Sequence, residues 1–383
     1  MNVSAGPRTV LGMTLHNNAR HLREATDSLL GQTRTDFVLL MLDDGSSDDT
    51  EQIAREYERR DSRVRYARHA ERLGMIPTWR EVAERGIREY PDAEYFAWVS
   101  DHDRWAPSWL AHLVEELDRH PELVLAYPLS PRIEDDGRPG PKEPRTFETL
   151  GIASVDERWS RFCYDGVGAG DMVYGLIRMP ALQAAGVFRP VLRPDRLLIA
   201  ELTLQGQIHQ VQTPLWFRRQ SGVSSVARQG KTLFAGSPPR SFMLPPWIQH
   251  AVVLFREYGG ARATVRIPLA RLTRMVALYQ LTYTWRHVKK TETSHRIGRG
   301  VDNVHWVKKV IKKAYHQSVY WTLVKGRRVW GLTRRQFRRA VYETLMATHA
   351  VRGRLRRAGR RGVHDFLVLT HRLGLRGGDN QGR

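Results

Sequence analysis

Continuous apolar runs alternate with amphipathic stretches through the first half of the chain. The apolar runs span residues 8–15, 36–42, 64–67, 95–99, 123–127 and 172–177. Runs without a polar face are typical of strands buried on both sides of a sheet. The first intervening stretch, 21–30, places Leu22, Ala25 and Leu29 at helical spacing. This alternation predicts an open α/β sheet with helices on both faces.

The second half of the chain has a different pattern. Residues 221–246 are rich in Ser, Gly and Pro, which indicates a boundary between two parts of the chain. Beyond it, helical spacing dominates, with candidate helices at 251–258, 267–283, 301–324 and 333–351. We therefore predict an α/β domain over residues 1–230 and a mainly helical region over residues 231–383.

Charge separates the same two regions. The chain of 383 residues carries a net charge of +21, but residues 1–230 hold 29 basic and 34 acidic side chains, whereas residues 231–383 hold 32 and 6. The net charges are thus −5 and +26. Amphipathic basic helices with tryptophans suit an anionic membrane surface or an anionic acceptor. Two alternatives stay open: packing onto the first domain, and nucleic acid, although the absence of a recognisable module gives no expectation of a specific nucleic acid.

Composition limits the cellular setting. The hydrophobic content of 41% is enough for a buried core, and the single cysteine, Cys163, excludes an intrachain disulfide framework and a cysteine-rich zinc site. We see no signal-peptide layout and no run of about 18 apolar residues. A cytoplasmic protein, acting in solution or at the cytoplasmic face of a membrane, is the expectation.

Two predicted strands end in acidic residues. Asp43 and Asp44 follow the second strand, and Asp101 and Asp103 follow the strand at 95–99. In open α/β sheets ligands bind beyond the carboxyl ends of the strands. Carboxylates one residue apart point to the same side of an extended chain and repel each other unless a cation lies between them. The sequence therefore predicts a site for Mg²⁺ or Mn²⁺ at Asp101 and Asp103.

Each acidic cluster also has a simpler interpretation. Asp48 and Asp49, further along the first cluster, suit the N-terminus of the next helix, where negative charge meets the helix dipole. Asp101 and Asp103 by themselves also fit a solvated turn.

An ordered set of short motifs carries a family resemblance. The residues concerned are Leu15-His16-Asn17-Asn18, Ser28-Leu29-Leu30, Gln32, Leu42-Asp43-Asp44-Gly45-Ser46-Ser47-Asp48, Asp101-His102-Asp103, Trp105, Pro107, Tyr174-Gly175-Leu176-Ile177-Arg178, Ala185-Gly186-Val187-Phe188, Pro194-Asp195, Glu201-Leu202, Gly206, Pro214-Leu215-Trp216 and Arg218. Over about residues 8–225 the chain resembles the inverting family-2 glycosyltransferases. The resemblance implies a GT-A fold, a Rossmann-like nucleotide-binding domain whose sheet is mixed but mainly parallel.

The resemblance also implies roles for the strand-end residues. Asn17, Asp43 and Asp44 would hold the base and ribose of a nucleotide-sugar donor. Asp103 would contact the metal ion, and Asp101 a ribose hydroxyl or the metal. The ion would bridge the diphosphate and stabilise the charge of the departing nucleotide.

Inverting transfer needs a general base opposite the leaving group. The family places an acidic pair where this chain has Pro194-Asp195, so Asp195 is the predicted base, with Asp171 and Glu201 as alternatives. Asp195 also suits the N-cap of the following helix. Glu201, six residues further on, is predicted to lie on an exposed helix surface.

Three residues depart from the family pattern on the nucleotide side. Thr14 replaces a proline, the segment Arg72-Leu73-Gly74 lacks the asparagine that is common near that glycine, and Trp79 occupies a second usual asparagine position. Arg72 has the planar fork that suits phosphate oxygens. We predict a metal-dependent inverting glycosyltransferase that uses a nucleotide-diphosphate sugar and a hydroxyl of a glycan or lipid-linked acceptor. The alternatives are a non-catalytic nucleotide-sugar-binding protein and a metal-dependent nucleotidyltransferase.

Overall fold

The computed structural model describes residues 6–141, 144–166, 169–219, 233–235, 242, 244–260 and 265–295, with side chains as far as residue 284. The chain divides into two compact units, Met1–His287 and Val288–Arg383. Every contact discussed below lies within the first unit. The predicted helices at 301–324 and 333–351 lie outside the described residues.

A seven-stranded sheet forms the centre of the first unit. Its strands are β1 (Thr9–Leu15), β2 (Phe37–Asp43), β3 (Val64–Arg68), β4 (Tyr95–Val99), β6 (Leu123–Leu129), β8 (Leu176–Arg178) and β9 (Gln207–Pro214), in the spatial order β3-β2-β1-β4-β8-β6-β9. All pairs are parallel except the two that β8 makes with β4 and β6. The predicted mixed, mainly parallel α/β sheet is confirmed.

Helices cover both faces of this sheet. They are α1 (Ala19–Leu30), α2 (Thr50–Arg60), α3 (Met75–Glu89), α4 (Trp109–Arg119), α5 (Val155–Asp165), α6 (Ala169–Met172), α7 (Met179–Ala184), α8 (Pro194–Gln205), α9 (Pro246–Tyr258) and α10 (Leu269–His295). The prediction of a strand at 172–177 is wrong in part, since Met172 ends α6 and the strand begins at Leu176. Asp171 and Met172 are both buried in this short helix. Buried residues in succession look like a buried strand in the sequence.

The alternation of side chains along the strands creates two hydrophobic cores. Val10 and Trp98 face a core shared with α3, α5, α8, α9 and α10. Leu11 and Ala97, each one residue from these, face a second core shared with α1, α2 and α4. Cys163 is fully buried in the first core, as expected of a small apolar side chain.

A second, three-stranded sheet lies across the carboxyl ends of the main strands. It consists of β5 (Arg104–Trp105), β10 (Trp216–Arg219) and β7 (Arg132–Ile133), in the order β5-β10-β7. Because β5 starts directly after Asp103, the pairing of Trp105 with Trp216 fixes the chain that follows β4. This small sheet brings β10 to the predicted metal site.

Candidate active site

The strand ends of β1, β2 and β4 surround a cleft of about 190 Å³. Its lining consists of Thr14, Leu15, His16, Asp44, Arg72, Met75, Thr78, Trp79 and Asp101. All three residues that depart from the family pattern are in this set. The volume is below the roughly 300–1,000 Å³ of pockets that enclose a whole ligand, so the cleft suits one part of a larger molecule.

Asp43 and Asp44 hold the loops around the cleft. The fully buried Asp43 carboxylate accepts hydrogen bonds from the Ser46 N–H at 2.8 Å and Ser46 Oγ at 2.6 Å, and from the Tyr66 hydroxyl at 2.9 Å. Asp44 accepts from the N–H groups of Leu73 and Gly74 at 2.7 and 2.9 Å. Asp44 thus lines the cleft while tying the turn before α3 to β2. Asp43 lies behind it.

The turn between these loops depends on one glycine. Gly45 has a φ of 71°, in the region that side chains disfavour, and a Cβ there would lie 3.1 Å from the backbone nitrogen of Arg72. Gly45 thereby lets the loop after β2 approach the loop before α3.

The two asparagines after β1 act in different ways. Asn17 adopts a left-handed conformation with φ 51°, which asparagine tolerates, and its Oδ1 accepts from the Ser47 N–H at 2.7 Å. Asn17 is exposed and does not belong to the cleft lining. Asn18 donates from Nδ2 to Asp101 Oδ1 at 2.9 Å. The sequence interpretation assigned no role to Asn18, although the Asn-Asn pair at a strand end was its signal.

Asp101 and Asp103 lie at different depths. Asp101 lines the cleft, whereas Asp103 is 1% exposed and accepts from Trp216 Nε1 at 3.0 Å and from the Arg219 N–H at 2.8 Å. Burial raises the pKa of Asp103. Arg219 itself is buried, and its guanidinium donates hydrogen bonds to the carbonyl of His102 and the carboxylate of Glu24. Its guanidinium therefore serves the loop and is not a mobile phosphate ligand.

His102 lies between the two aspartates. Its Nδ1 is 2.7 Å from Asp101 Oδ1, and its Nε2 is 3.9 Å from Asp103 Oδ1. Burial opposes the charged ring, but the hydrogen bond to Asp101 and the negative charges of Asp103 and Asp101 outweigh it and raise the pKa of His102. A raised pKa favours the charged form of the ring between the two carboxylates.

The predicted base, Asp195, occupies the first turn of α8 and is partly buried. A methyl group at Gly170 would come within 3.5 Å of Asp195 Oδ2 and 3.9 Å of the Arg218 guanidinium, so the two side chains flank one small space. Burial raises the pKa of Asp195, opposed by the positive charges of Arg193, Arg196 and Arg218. A carboxylate with a raised pKa is a stronger base near neutral pH.

The two alternative bases are tied up in ion pairs. Asp171 is 3% exposed and receives two hydrogen bonds from Arg132 at 2.7 and 2.9 Å, plus one from Arg218. Glu201 is fully buried against Arg189, with oxygens 2.9 and 3.1 Å from its Nε. The prediction of an exposed Glu201 is wrong because the loop before α8 folds Arg189 back over the helix.

Tyr174 connects the cleft with these charged groups. Its ring packs edge-on against Trp79, with 5.4 Å between ring centroids, and is tilted against Trp216, with 4.8 Å between centroids. The Arg218 guanidinium lies 5.7 Å from the centroid of the Tyr174 ring. Burial is the main cause that raises the pKa of Tyr174, and the charges of Arg218, Asp103, Asp101 and Asp195 all act on it. The sequence placed Tyr174 within the resemblance but gave it no role. Tyr174 and Arg218 thus connect the cleft, through Trp79, with the space beside Asp195.

No group of three or more His, Cys, Asp or Glu side chains with metal-binding geometry occurs in the part of the chain that the structure describes. Asp101 and Asp103 still fit a divalent ion that takes its other ligands from a substrate. Each carboxylate oxygen has two lone pairs, so the hydrogen bonds to Asp103 leave acceptor capacity, and the two contacts of Asp101 both use Oδ1. Mg²⁺ in particular is held by one or two carboxylates plus phosphate oxygens.

Comparisons with known proteins agree with this geometry. Residues 11–167 match the family model described as glycosyl transferase family 2. A putative glycosyltransferase of Bacillus subtilis (strain 168), EpsH, is 24% identical over 236 residues, which are 60% of this chain and 65% of that protein. An uncharacterized glycosyltransferase of Rickettsia felis is 31% identical over 115 residues, 30% of this chain but only 18% of its own length. The chain therefore spans less than two thirds of these relatives.

Among solved structures, S. aureus TarS 1–349 in complex with UDP-GlcNAc superposes with a TM-score of 0.53 at 14% sequence identity, covering 72% of each chain. At this identity the likeness shows the fold. The order and direction of the strands described above are thus those of the GT-A fold.

Proposed function

We propose that this chain transfers a glycosyl group, with inversion, from a nucleotide-diphosphate sugar to a hydroxyl group of a glycan or lipid-linked acceptor; the match of residues 11–167 to the glycosyl transferase family 2 model supports this proposal. The observation that carries the proposal is that Asp195 and Arg218 flank one small space, and that Arg218 lies over Tyr174, whose ring packs against Trp79 of the cleft that Asp101 also lines. A carboxylate pair for the leaving diphosphate and a carboxylate for the acceptor are the two parts that this reaction requires.

The cleft would hold the nucleoside end of the donor. Asp44 and Thr14 offer polar groups at its wall, and Trp79 offers an aromatic one. The Arg72 side chain is 39% exposed, and its Nε lies 3.8 Å from Asp44, a loose pairing that leaves its N–H donors for the diphosphate. Since the TarS structure contains UDP-GlcNAc, this donor is the first to test. Asn17 and Asp43 would act by holding the surrounding loops, as their hydrogen bonds indicate.

Mg²⁺ or Mn²⁺ held by Asp101 and Asp103 would neutralise charge on the departing nucleotide diphosphate. The indole of Trp216 and the amide of Arg219 fix the Asp103 carboxylate for this task, and Asn18 fixes that of Asp101. Burial lowers the pKa of Arg218, but electrostatic interactions with Tyr174, Asp171 and Asp103 outweigh it and raise that pKa. Arg218 therefore keeps its positive charge beside them.

Asp195 would take the proton of the acceptor hydroxyl. As the acceptor oxygen forms its bond to the anomeric carbon, the bond to the diphosphate oxygen breaks and its electron pair leaves with the nucleotide. A single displacement of this kind inverts the anomeric centre. Asp171 and Glu201 do not suit this role because arginines hold both of their carboxylates.

The charged region 231–383 would bring the enzyme to an anionic membrane surface or an anionic acceptor. Its candidate helices beyond residue 295 lie outside the described residues. Among the helices that the structure describes, none has the length and apolar content needed to cross a bilayer. Flotation with vesicles of phosphatidylglycerol tests the proposal: we expect binding at low salt that is lost at high salt, and no flotation at low salt would contradict it.

The experiment for transfer starts from a thermal-shift screen of nucleotides and nucleotide sugars with Mn²⁺, because a ligand of the folded state raises its stability. Turnover of the best donor is then compared in wild type, Asp195→Asn and the exposed control Asp92→Asn. We expect Asp195→Asn to keep donor binding and lose about 10²–10⁴-fold in turnover. Equal loss of binding and turnover would assign Asp195 a structural role in the first turn of α8.

The products separate the alternatives. Transfer releases a nucleoside diphosphate and an inverted glycoside, whereas a nucleotidyltransferase acts at phosphorus and releases pyrophosphate or a sugar phosphate. A non-catalytic binding protein gives a thermal shift without any product. Either result would overturn the proposal.

A further inference from the structure

Two neighbouring side chains of α9 hold both backbone groups of a single residue, Leu192. The Leu192 N–H donates to Gln249 Oε1 at 3.0 Å, and His250 Nε2 lies 2.7 Å from the Leu192 carbonyl oxygen. Gln249 is 3% exposed and His250 is fully buried. These contacts cross 57 and 58 residues of sequence. We call Gln249 and His250 the α9 clamp.

The chemistry of His250 determines its tautomer. A carbonyl oxygen only accepts hydrogen bonds, so Nε2 carries the proton and donates to Leu192. Nδ1 then accepts from the Tyr279 hydroxyl of α10, at 2.7 Å. Burial lowers the pKa of His250 to about 3, so the ring stays neutral at the pH values at which enzymes work. The clamp is therefore a fixed structural contact.

The amide nitrogen of Gln249 also has a hydrogen-bond partner. Its Nε2 donates to the Leu244 carbonyl at 2.7 Å, just before α9 begins. Both ends of the amide thus have partners, which fixes its orientation and leaves Oε1 for Leu192.

The clamped residue precedes a strained backbone position. Arg193 has φ 57° and ψ 52°, which lie in the left-handed region that residues other than glycine and asparagine rarely adopt. Such a conformation persists only where its surroundings determine it. Pro194 and Asp195 follow at once and form the first turn of α8. The direction in which α8 begins, and with it the place of the Asp195 carboxylate, depends on Leu192 and Arg193.

The residue after Asp195 is held from the same side. The Arg196 guanidinium lies over the rings of Phe162, Tyr279 and Tyr283 at 4.9, 5.5 and 5.2 Å. Two of these rings belong to α10. The C-terminal helices α9 and α10 thus grip the chain on both sides of Asp195.

We propose that Gln249 and His250 are positioning residues for the base Asp195, so that the first helices of the C-terminal region complete the active site. The inference rests on the proposed function, because it assumes that Asp195 accepts the proton. It assigns to α9 a task in the reaction itself, beyond any contact with a membrane or an acceptor.

The test uses the full chain with Gln249→Met, which keeps the side-chain length and removes both hydrogen bonds. Val253→Ala, a buried change on the same helix that removes no hydrogen bond to Leu192, is the matched control. Hydrogen–deuterium exchange of the amides in 191–197 reports the clamp. Turnover of UDP-GlcNAc with Mn²⁺, measured as UDP release, reports its consequence.

We expect Gln249→Met to speed exchange in 191–197 by about 10-fold or more and to lower kcat about 10-fold, with KM for the donor changed less than about 2-fold, because small misplacements of a catalytic group are costly. Val253→Ala should leave both unchanged. His250→Gln, which retains an N–H near the position of Nε2, should keep more kcat than His250→Leu.

Contrary results are distinguishable. Faster exchange with an unchanged kcat, or equal effects of Val253→Ala, would overturn the positioning role and leave the proposed function intact. If Asp195→Asn retains full turnover, the proposed base is wrong and the catalytic part of the inference fails with it. Unchanged exchange in Gln249→Met overturns the clamp whatever the turnover.

Discussion

The two acidic strand ends look alike in sequence but differ in what their oxygens bind. After β2, the Asp43 carboxylate accepts hydrogen bonds from Ser46 and Tyr66, and Asp44 connects β2 to the turn before α3 by accepting from Leu73. After β4, Asp101 faces the cleft and keeps one oxygen outside its contacts with Asn18 and His102. The first end builds the walls of the cleft, and the second offers ligands to what enters it.

The difference follows from what comes next in the chain. The loop after β2 turns at Gly45 and approaches the loop before α3. The backbone N–H groups of Leu73 and Gly74 therefore lie close enough to donate hydrogen bonds to the Asp44 carboxylate. The chain after β4 continues into β5, and two donors of β10, the Trp216 indole and the Arg219 N–H, hold the Asp103 carboxylate. A strand-end aspartate is therefore the stronger ligand candidate where it faces the cleft and keeps an oxygen outside its hydrogen bonds, as Asp101 does.

The largest effect is expected at Asp101. Asp101→Asn removes the charge that faces the cleft but retains an acceptor for Asn18, so metal-dependent turnover should fall about 10²–10³-fold. The free energy of unfolding should change by less than about 1 kcal/mol. Turnover at rising Mn²⁺ concentration and urea unfolding measure the two quantities. Undiminished metal-dependent turnover in Asp101→Asn and in Asp103→Ala would remove the ion from this site.

The reverse outcome is expected at Asp43. Asp43→Asn replaces one buried acceptor oxygen by an NH₂ group, which leaves Tyr66 or Ser46 without its partner, so the free energy of unfolding should fall by about 2 kcal/mol. Donor affinity of the folded fraction should change little. Urea unfolding and calorimetric titration with UDP check this, with Asp92→Asn as control. A stable variant that no longer binds nucleotide would instead support the direct base or ribose contact inferred from the resemblance.

The sequence was informative where patterns are local. Continuous apolar runs placed β1 to β4 within a residue of their observed bounds, because a strand that is buried on both faces is apolar along its whole length. The strand-end rule then located Asp44 and Asp101 at the cleft. Neither step needs contacts between distant parts of the chain.

Distant contacts explain what the sequence did not reveal. Arg189 folds back on Glu201, Trp216 reaches Asp103 across 113 residues, and Gln249 reaches Leu192 across 57. In each case the partner is an ordinary residue without a local signal. The division at residue 230 stays a prediction, while the first compact unit continues to His287 and includes α9.

The smallest expected effect distinguishes Asp48 from Asp49 at the start of α2. Asp48 accepts from the N–H groups of Ala19 and Thr50, both at 3.1 Å, whereas Asp49 makes no capping hydrogen bond with its side chain. Burial pushes the pKa of Asp48 up, but the hydrogen bonds from Thr50 and Ala19 outweigh it and hold the pKa below its ordinary value of 3.8. Because the folded-state pKa is depressed, this carboxylate stabilises the fold above its unfolded-state pKa and loses that contribution as the pH falls through the folded-state value. Asp48→Asn should thus cost about 0.5 kcal/mol at neutral pH, and the difference from wild type should shrink below about pH 4. Asp49→Asn should show no such pH-dependent difference in urea unfolding, and a larger effect at Asp49 than at Asp48 would mean that the first acidic end holds α2 through its cap instead of joining α1 to α2.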